Sequence, residues 1–207
     1  MAMREMMCPC EARFEREVPE LVDLEQQPAT IQAIRAGDFM AFACPECGKL
    51  LKPELPFRLI DRARAVDIFF VPELQRGAYL RGELEDLVQQ PGRTVVGYEE
   101  LVEKLAILEA GLDDRVVELI KYYLLSRALQ EYADCEPHFL FSASESQALV
   151  FHVHGVREDE IGVTRIALEI YTKTAGEIES KAKEQPFDDM LAPPYVSVNK
   201  IYRNQPL

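Results

Sequence analysis

Two pairs of cysteines, Cys8-Pro9-Cys10 and Cys44-Pro45-Glu46-Cys47-Gly48, constrain what this chain can fold into more than any other feature. Two thiolates three positions apart on a tight turn can take two corners of a tetrahedron around zinc, with Zn–S distances near about 2.3 Å. The glycine after Cys47 permits a positive φ, so main-chain N–H groups can turn toward the sulfurs. The two pairs read as the halves of one zinc site built from Cys8, Cys10, Cys44 and Cys47. Four thiolates leave no open position for water, which makes the expected role structural; catalytic or redox-active zinc is the competing functional reading. A redox Cys-x-x-Cys needs a helix that starts between its cysteines. Here Gly48-Lys49-Leu50-Leu51-Lys52-Pro53 reads as a strand.

The chain has 207 residues, and at 48% hydrophobic it can bury a core that does not depend on metal. Its formal charge is −13, with the acids spread along the sequence as a solvated surface. Such a surface repels nucleic-acid phosphate and anionic lipid. The basic residues do not gather to overcome this: Arg62 and Arg64 sit with Asp61 and Asp67, and Lys181 and Lys183 with Glu179 and Glu184. No apolar run is long enough to cross a membrane, and Met1 to Cys8 carry no apolar signal-peptide core. The expected location is therefore cytoplasmic. In that reducing compartment five cysteines favour metal or free thiol over disulfides.

The hydrophobic pattern predicts an α+β chain. Residues 5–18 read as a strand pair around the first cysteine turn, with Phe14 and Val18 on its apolar side. Residues 28–36 read as a short helix that opens on Pro28, buries Ile31 and Ile34, and ends at Gly37. Phe39, Ala41 and Ala43 alternate into the second cysteine turn. Phe57, Leu59, Val66, Ile68 and Phe70 alternate either side of Asp61-Arg62-Ala63-Arg64, a hairpin pattern. Residues 5–72 together suggest a zinc-ribbon-like β unit with a helical insertion. A polar stretch follows over 73–92, then a short strand at 93–97. An αα-hairpin comes next, from a helix over 98–110 burying Leu101, Leu105 and Leu108 and one over 114–129 burying Val116, Leu119, Ile120 and Tyr123. Asp113 is its expected N-cap, and Asp113-Asp114 reads as a helix start rather than a metal pair. Residues 138–154 read as a second hairpin, 161–183 as a helix, and about 195–202 as a last short strand after Ala192-Pro193-Pro194. The expected organisation is a β unit over 1–75, a helical segment over 76–130 packed on it, and an α+β segment over 131–207.

The order of these motifs resembles the bacterial CpXC domain proteins. The resemblance rests on Met7–Cys10, Phe42–Lys49, Phe57–Pro72, Glu100-Leu101-Val102-Glu103-Lys104-Leu105 and Gly111-Leu112-Asp113-Asp114, and it spans roughly residues 5–125. It implies a domain defined by four cysteines that binds zinc, and it implies no activity. The first pair, Cys8-Pro9-Cys10, is one residue shorter than the family pattern, which gives it a tighter bite.

A second constellation lies further on. Cys135, His138, His152 and His154 fall within twenty residues, and His152 and His154 point to one face of a strand. Cross-strand pairing would bring His138 to them and allow a His-rich metal site with hydrolytic chemistry. The plainer alternative is a small buried thiol beside histidines on a half-exposed sheet face. No P-loop, dinucleotide fingerprint, nucleophile elbow or DNA-reading finger is present. The sequence therefore favours a non-catalytic zinc-containing interaction or scaffold protein that docks a protein partner, with a second copy of the chain as one candidate. A metal-dependent hydrolase using Cys135, His138, His152 and His154 is the alternative.

Overall fold

The residues flanking the first cysteine pair form an antiparallel hairpin, β1 (Ala2–Met7) with β2 (Arg13–Val18), in the computed structural model, which describes residues 1–84, 91–132 and 134–202. Met6 lies opposite Phe14 and Ala2 opposite Val18, so Met6 and Val18 are buried while Met3 and Met7 face solvent. The chain forms two compact units, Met1–Tyr98 and Glu99–Leu207.

In Met1–Tyr98, β3 (Leu21–Asp23) leads to α1 (Ala29–Ala36). As expected, α1 buries Ile31 and Ile34, and it closes on Gly37 at φ 69°, whose N–H reaches the last helical carbonyls. The second cysteine turn sits on a small hairpin of β4 (Phe42–Ala43) and β5 (Leu50–Leu51). Then β6 (Phe57–Asp61) and β7 (Val66–Val71) pair with Phe57 opposite Phe70 and Asp61 opposite Val66. A turn at Glu73–Gln75 and α2 (Arg76–Leu80) precede β8 (Arg93–Val96). The four-stranded sheet runs β3-β6-β7-β8, with both outer pairs parallel. Its apolar face buries Phe57, Leu59, Ile68 and Phe70, each worth about 1.5–3 kcal/mol when withdrawn from water. Phe39, Phe57, Phe70 and Tyr98 form a chain of ring contacts with centroids 5.0–5.8 Å apart, and the Tyr98 hydroxyl donates to the Phe39 carbonyl. That aromatic chain ties the segment leading into the second cysteine turn to the sheet.

In Glu99–Leu207, α3 (Gly97–Glu109) and α4 (Asp114–Glu131) form the expected helix pair, and the Asp113 carboxylate caps α4 by accepting from the Arg115 amide. Strands β9 (His138–Ser144), β10 (Ala148–His154) and β11 (Gly162–Ala167) make an antiparallel sheet in the order β11-β10-β9. After it come α5 (Leu168–Lys181), α6 (Phe187–Met190) and α7 (Asn199–Tyr202). Ile107, Val116, Leu119, Phe139, Phe151 and Met190 sit in one core cluster.

Four expectations are corrected here. The helix foreseen over 161–183 is a strand followed by a helix. Val163, Ile166, Ala167 and Ile170 satisfy a helical period, but Gly162–Ala167 pairs along β10, and β-branched Val163, Thr164 and Ile166 suit that pleated edge. The last strand foreseen over 195–202 is absent among the described residues. Tyr195–Val198 is buried without regular structure: the Val196 carbonyl and the Val198 N–H bond to the Lys104 and Glu118 side chains instead of a neighbouring strand, and α7 follows. Leu108, expected to be buried, is 38% exposed, and Ile107 takes the core position. Tyr123 is 46% exposed, while charged Glu118 and Lys121 are buried on the same helix. The observed fold is thus α+β with several small sheets, and the second hairpin gains a third strand.

A four-cysteine candidate metal centre

Each cysteine pair occupies the tip of a hairpin, and the two tips are built alike. In the second, the Cys44 N–H donates to the Lys49 carbonyl, the Gly48 N–H donates to the Cys44 carbonyl, and Gly48 has φ 72°. In the first, the Cys8 N–H donates to the Ala12 carbonyl, the Glu11 N–H donates to the Cys8 carbonyl, and Glu11 has φ 71°. The shortened pair is therefore the same turn with one residue removed, and Glu11 takes the left-handed position that Gly48 takes in the other. For a residue with a Cβ that conformation costs about 1 kcal/mol.

All four sulfurs lie within 4.8 Å of one another. The Cys8–Cys47 and Cys10–Cys44 Sγ distances are 3.6 Å and 3.7 Å, so the close pairs run across the two turns. A tetrahedron with metal–sulfur bonds of about 2.3 Å has edges of about 3.8 Å, so this spacing fits a four-thiolate ion. Cys8 and Cys44 are buried, and Cys10 and Cys47 are exposed. The donor set is four thiols with no carboxylate or imidazole, which suits a thiophilic metal ion.

The free thiols are unequal. The Cys10 amide pulls the Cys8 thiol down, but burial and the thiols of Cys10, Cys44 and Cys47 outweigh it and push Cys8 up to about 12. The Cys47 amide draws Cys44 down against burial, and with the Glu46 amide and the Cys8 and Cys10 thiols it brings Cys44 to about 7. A metal ion bound here would hold both sulfurs as thiolates, so its binding would release protons.

The second constellation does not assemble. His138 faces His154 across the β9–β10 ladder, but its Nε2 is directed to the Glu99 carboxylate at 3.6 Å. The Cys135 thiol donates to the Val156 carbonyl at 3.4 Å. Among the described residues, the cysteines at 8, 10, 44 and 47 are the group whose ligand atoms converge, and Cys135, His138, His152 and His154 form no such group.

A different set of chemistry-bearing residues emerges inside Glu99–Leu207. The Lys121 ammonium donates to Glu103 at 2.7 Å and to Glu118 at 2.9 Å, and all three side chains are buried. Lys104 donates to Asp114 at 2.7 Å and to the Val196 carbonyl. Glu100 accepts from the Tyr195 hydroxyl and the Asn199 amide, Glu103 from the Phe141 N–H, and Glu118 from the Val198 N–H. Burial pushes the Glu103 carboxyl up, with Lys121 opposing and Glu118 assisting. Burial would lower Lys121, but the carboxylates of Glu103 and Glu118 hold it above its usual range. The network fastens the buried segment Tyr195–Val198 and the start of α7 to α3 and α4. Its sequence signal was available: Lys104 lies between Leu101 and Leu105, and Glu118 and Lys121 flank Leu119 and Ile120, so charges stand where an apolar stripe should be.

The sequence model of the CpXC protein family matches residues 6–121, a span that holds all four cysteines together with Glu100, Glu103, Lys104 and Asp114. An uncharacterized protein of Treponema pallidum (strain Nichols) is 24% identical over 217 residues, covering 97% of this chain and 99% of that protein. No solved structure matches the chain.

Proposed function

Because the chain belongs to the CpXC family, we propose that it is a non-catalytic zinc protein whose two cysteine hairpins form a zinc-ribbon-like clasp and whose surfaces dock a protein partner in the reducing cytoplasm. The observation that carries the reading is the convergence of Cys8, Cys10, Cys44 and Cys47 within 4.8 Å at a spacing suited to a tetrahedral ion. Cys8 and Cys44 would supply the buried corners and Cys10 and Cys47 the exposed ones. A zinc ion there supplies charge neutralisation for the thiolates and a crosslink between the hairpins. Four sulfur donors leave no exchangeable position for substrate, which supports a structural role.

The test is metal content of the purified chain by plasma mass spectrometry, with cobalt substitution to read the ligand set. About one zinc per chain is expected, with cobalt–thiolate absorption bands after exchange. Cys44→Ser should abolish retention, whereas Cys10→Ser, at an exposed corner on the tighter turn, should keep part of it. A metal-free chain, or zinc retained in full by Cys44→Ser, would overturn the reading.

A further inference from the structure

Oxidation at a cysteine cluster depends on which sulfurs meet solvent and which sulfurs lie beside them. A cysteine that senses oxidants is solvent-accessible and has a resolving cysteine within reach. The four-cysteine centre meets both conditions twice. Cys10 and Cys47 are exposed, and Cys8 and Cys44 are buried. Each close pair joins one of each kind: exposed Cys47 lies 3.6 Å from buried Cys8, and exposed Cys10 lies 3.7 Å from buried Cys44. A disulfide bond is about 2.0 Å long, so either pair closes with a shift of under about 2 Å.

Both close pairs run between the two hairpins rather than within one turn. The first turn has little slack for an internal bond, because only Pro9 separates Cys8 from Cys10 and its ring fixes φ at about −65°. The hairpins also meet apart from their sulfurs: the Arg16 guanidinium on β2 donates to the Ala43 carbonyl on β4 at 3.4 Å. The fifth cysteine is placed differently. Cys135 lies in Glu99–Leu207, its thiol donates to the Val156 carbonyl, and its sulfur is not in the converging group.

We propose that Cys10 and Cys47 are the oxidant-facing sulfurs of a redox switch, in which a hydroperoxide replaces the metal crosslink with two cross-hairpin disulfides, Cys8–Cys47 and Cys10–Cys44. The switch rests on the zinc reading of the centre and states how that site is regulated. In each half, the exposed thiolate attacks a peroxide oxygen, the O–O bond breaks, hydroxide leaves, and the sulfur becomes a sulfenic acid. The buried thiolate then attacks that sulfur, the S–S bond forms, the S–O bond breaks, and a second hydroxide leaves. Each disulfide thus consumes one peroxide, which takes up the two electrons that the sulfurs give. Once both have formed, no thiolate donor remains and the metal departs as a free cation. The hairpin tips stay joined, so metal loss by oxidation differs from metal loss by chelation. Exchange with a dithiol restores the four thiolates.

The test treats the purified full chain with hydrogen peroxide, one equivalent per cysteine pair. Zinc release is followed with an indicator dye, free thiols by alkylation, and linkages by tandem mass spectrometry. Four of the five thiols should be lost, with the zinc released in step and Cys135 still open to alkylation. Dithiothreitol with added zinc should restore the starting state. Cys10→Ser fixes the pairing: oxidised, it should still form Cys8–Cys47 and leave Cys44 open to alkylation. Linkages Cys8–Cys10 and Cys44–Cys47, alkylation of Cys8 instead of Cys44 in that variant, thiol loss that begins at Cys135, or disulfides between chains would each overturn the proposal. A chain isolated without zinc overturns the metal reading, whereas zinc retained through the loss of the exposed thiols overturns the switch alone.

Discussion

In Met1–Tyr98 distant segments meet at the sulfurs of Cys8, Cys10, Cys44 and Cys47, two buried and two exposed, whereas in Glu99–Leu207 they are gathered inside the core by Glu100, Glu103, Lys104, Asp114, Glu118 and Lys121. The cysteine cluster brings two hairpin tips together and offers a site for an ion from solution. The ionic network joins two helices to Tyr195–Asn199 and supplies both signs of charge from the chain itself. A metal crosslink at the cysteines, as proposed, could be withdrawn reversibly, and the ionic network only by mutation. The difference also separates where stability comes from: ion–thiolate bonds contribute folding energy directly, while a buried ion pair mainly penalises arrangements that leave a charge unmatched.

The largest separation should come from metal removal. Structural zinc contributes on the order of 10 kcal/mol to the folding of its ligands' segment at neutral pH. A strong chelator should expose residues 5–55 to protease while the fragment from Glu99 onward stays resistant, as read by mass spectrometry of the digest. Simultaneous digestion of both units would erase the distinction. The next effect is internal to the second unit. Lys121→Ala leaves two buried carboxylates without their cation and should cost about 3–5 kcal/mol in urea unfolding. Lys121→Met combined with Glu103→Gln and Glu118→Gln should recover most of that loss, because the amide oxygens can still accept from the Phe141 and Val198 amides. Equal losses in both variants would mean that the network acts by attraction rather than by matching. The smallest effect sharpens the comparison of the two cysteine turns. Glu11→Gly relieves a left-handed backbone at φ 71° and should stabilise the metal-loaded chain by about 1 kcal/mol, seen as a raised urea midpoint.

What the sequence revealed divides along the same line. The cysteine turns, α1 with its Gly37 stop, and the β6–β7 hairpin depend on neighbours a few residues away, so composition and spacing were enough to locate them. The positive φ of Glu11 escaped notice because nothing in its side chain asks for it. Gly162–Ala167 was misread because its apolar spacing serves a helix as well as an edge strand, and only β10 decides between them. Tyr195–Val198 has a strand's composition, but its partners are Lys104 and Glu118, some eighty to ninety residues earlier. The spacing of Lys104 and Glu118 among apolar residues marks them as out of place, but their partners Val196 and Val198 lie outside any local window.

The fastening of Tyr195–Asn199 to α3 and α4 has a consequence for synthesis. Glu100 leaves the ribosome 99 residues ahead of Asn199, whose amide it accepts. At about 5–20 residues per second that interval is roughly 5–20 s. Throughout it the nascent helix pair carries carboxylates whose hydrogen-bond donors have not yet been made, while every residue of the cysteine clasp has already emerged. The front of the chain can therefore mature earlier on the ribosome and the rear only once Asn199 has emerged, so a stall or frameshift after about residue 190 would leave the four cysteines together beside an unfinished core.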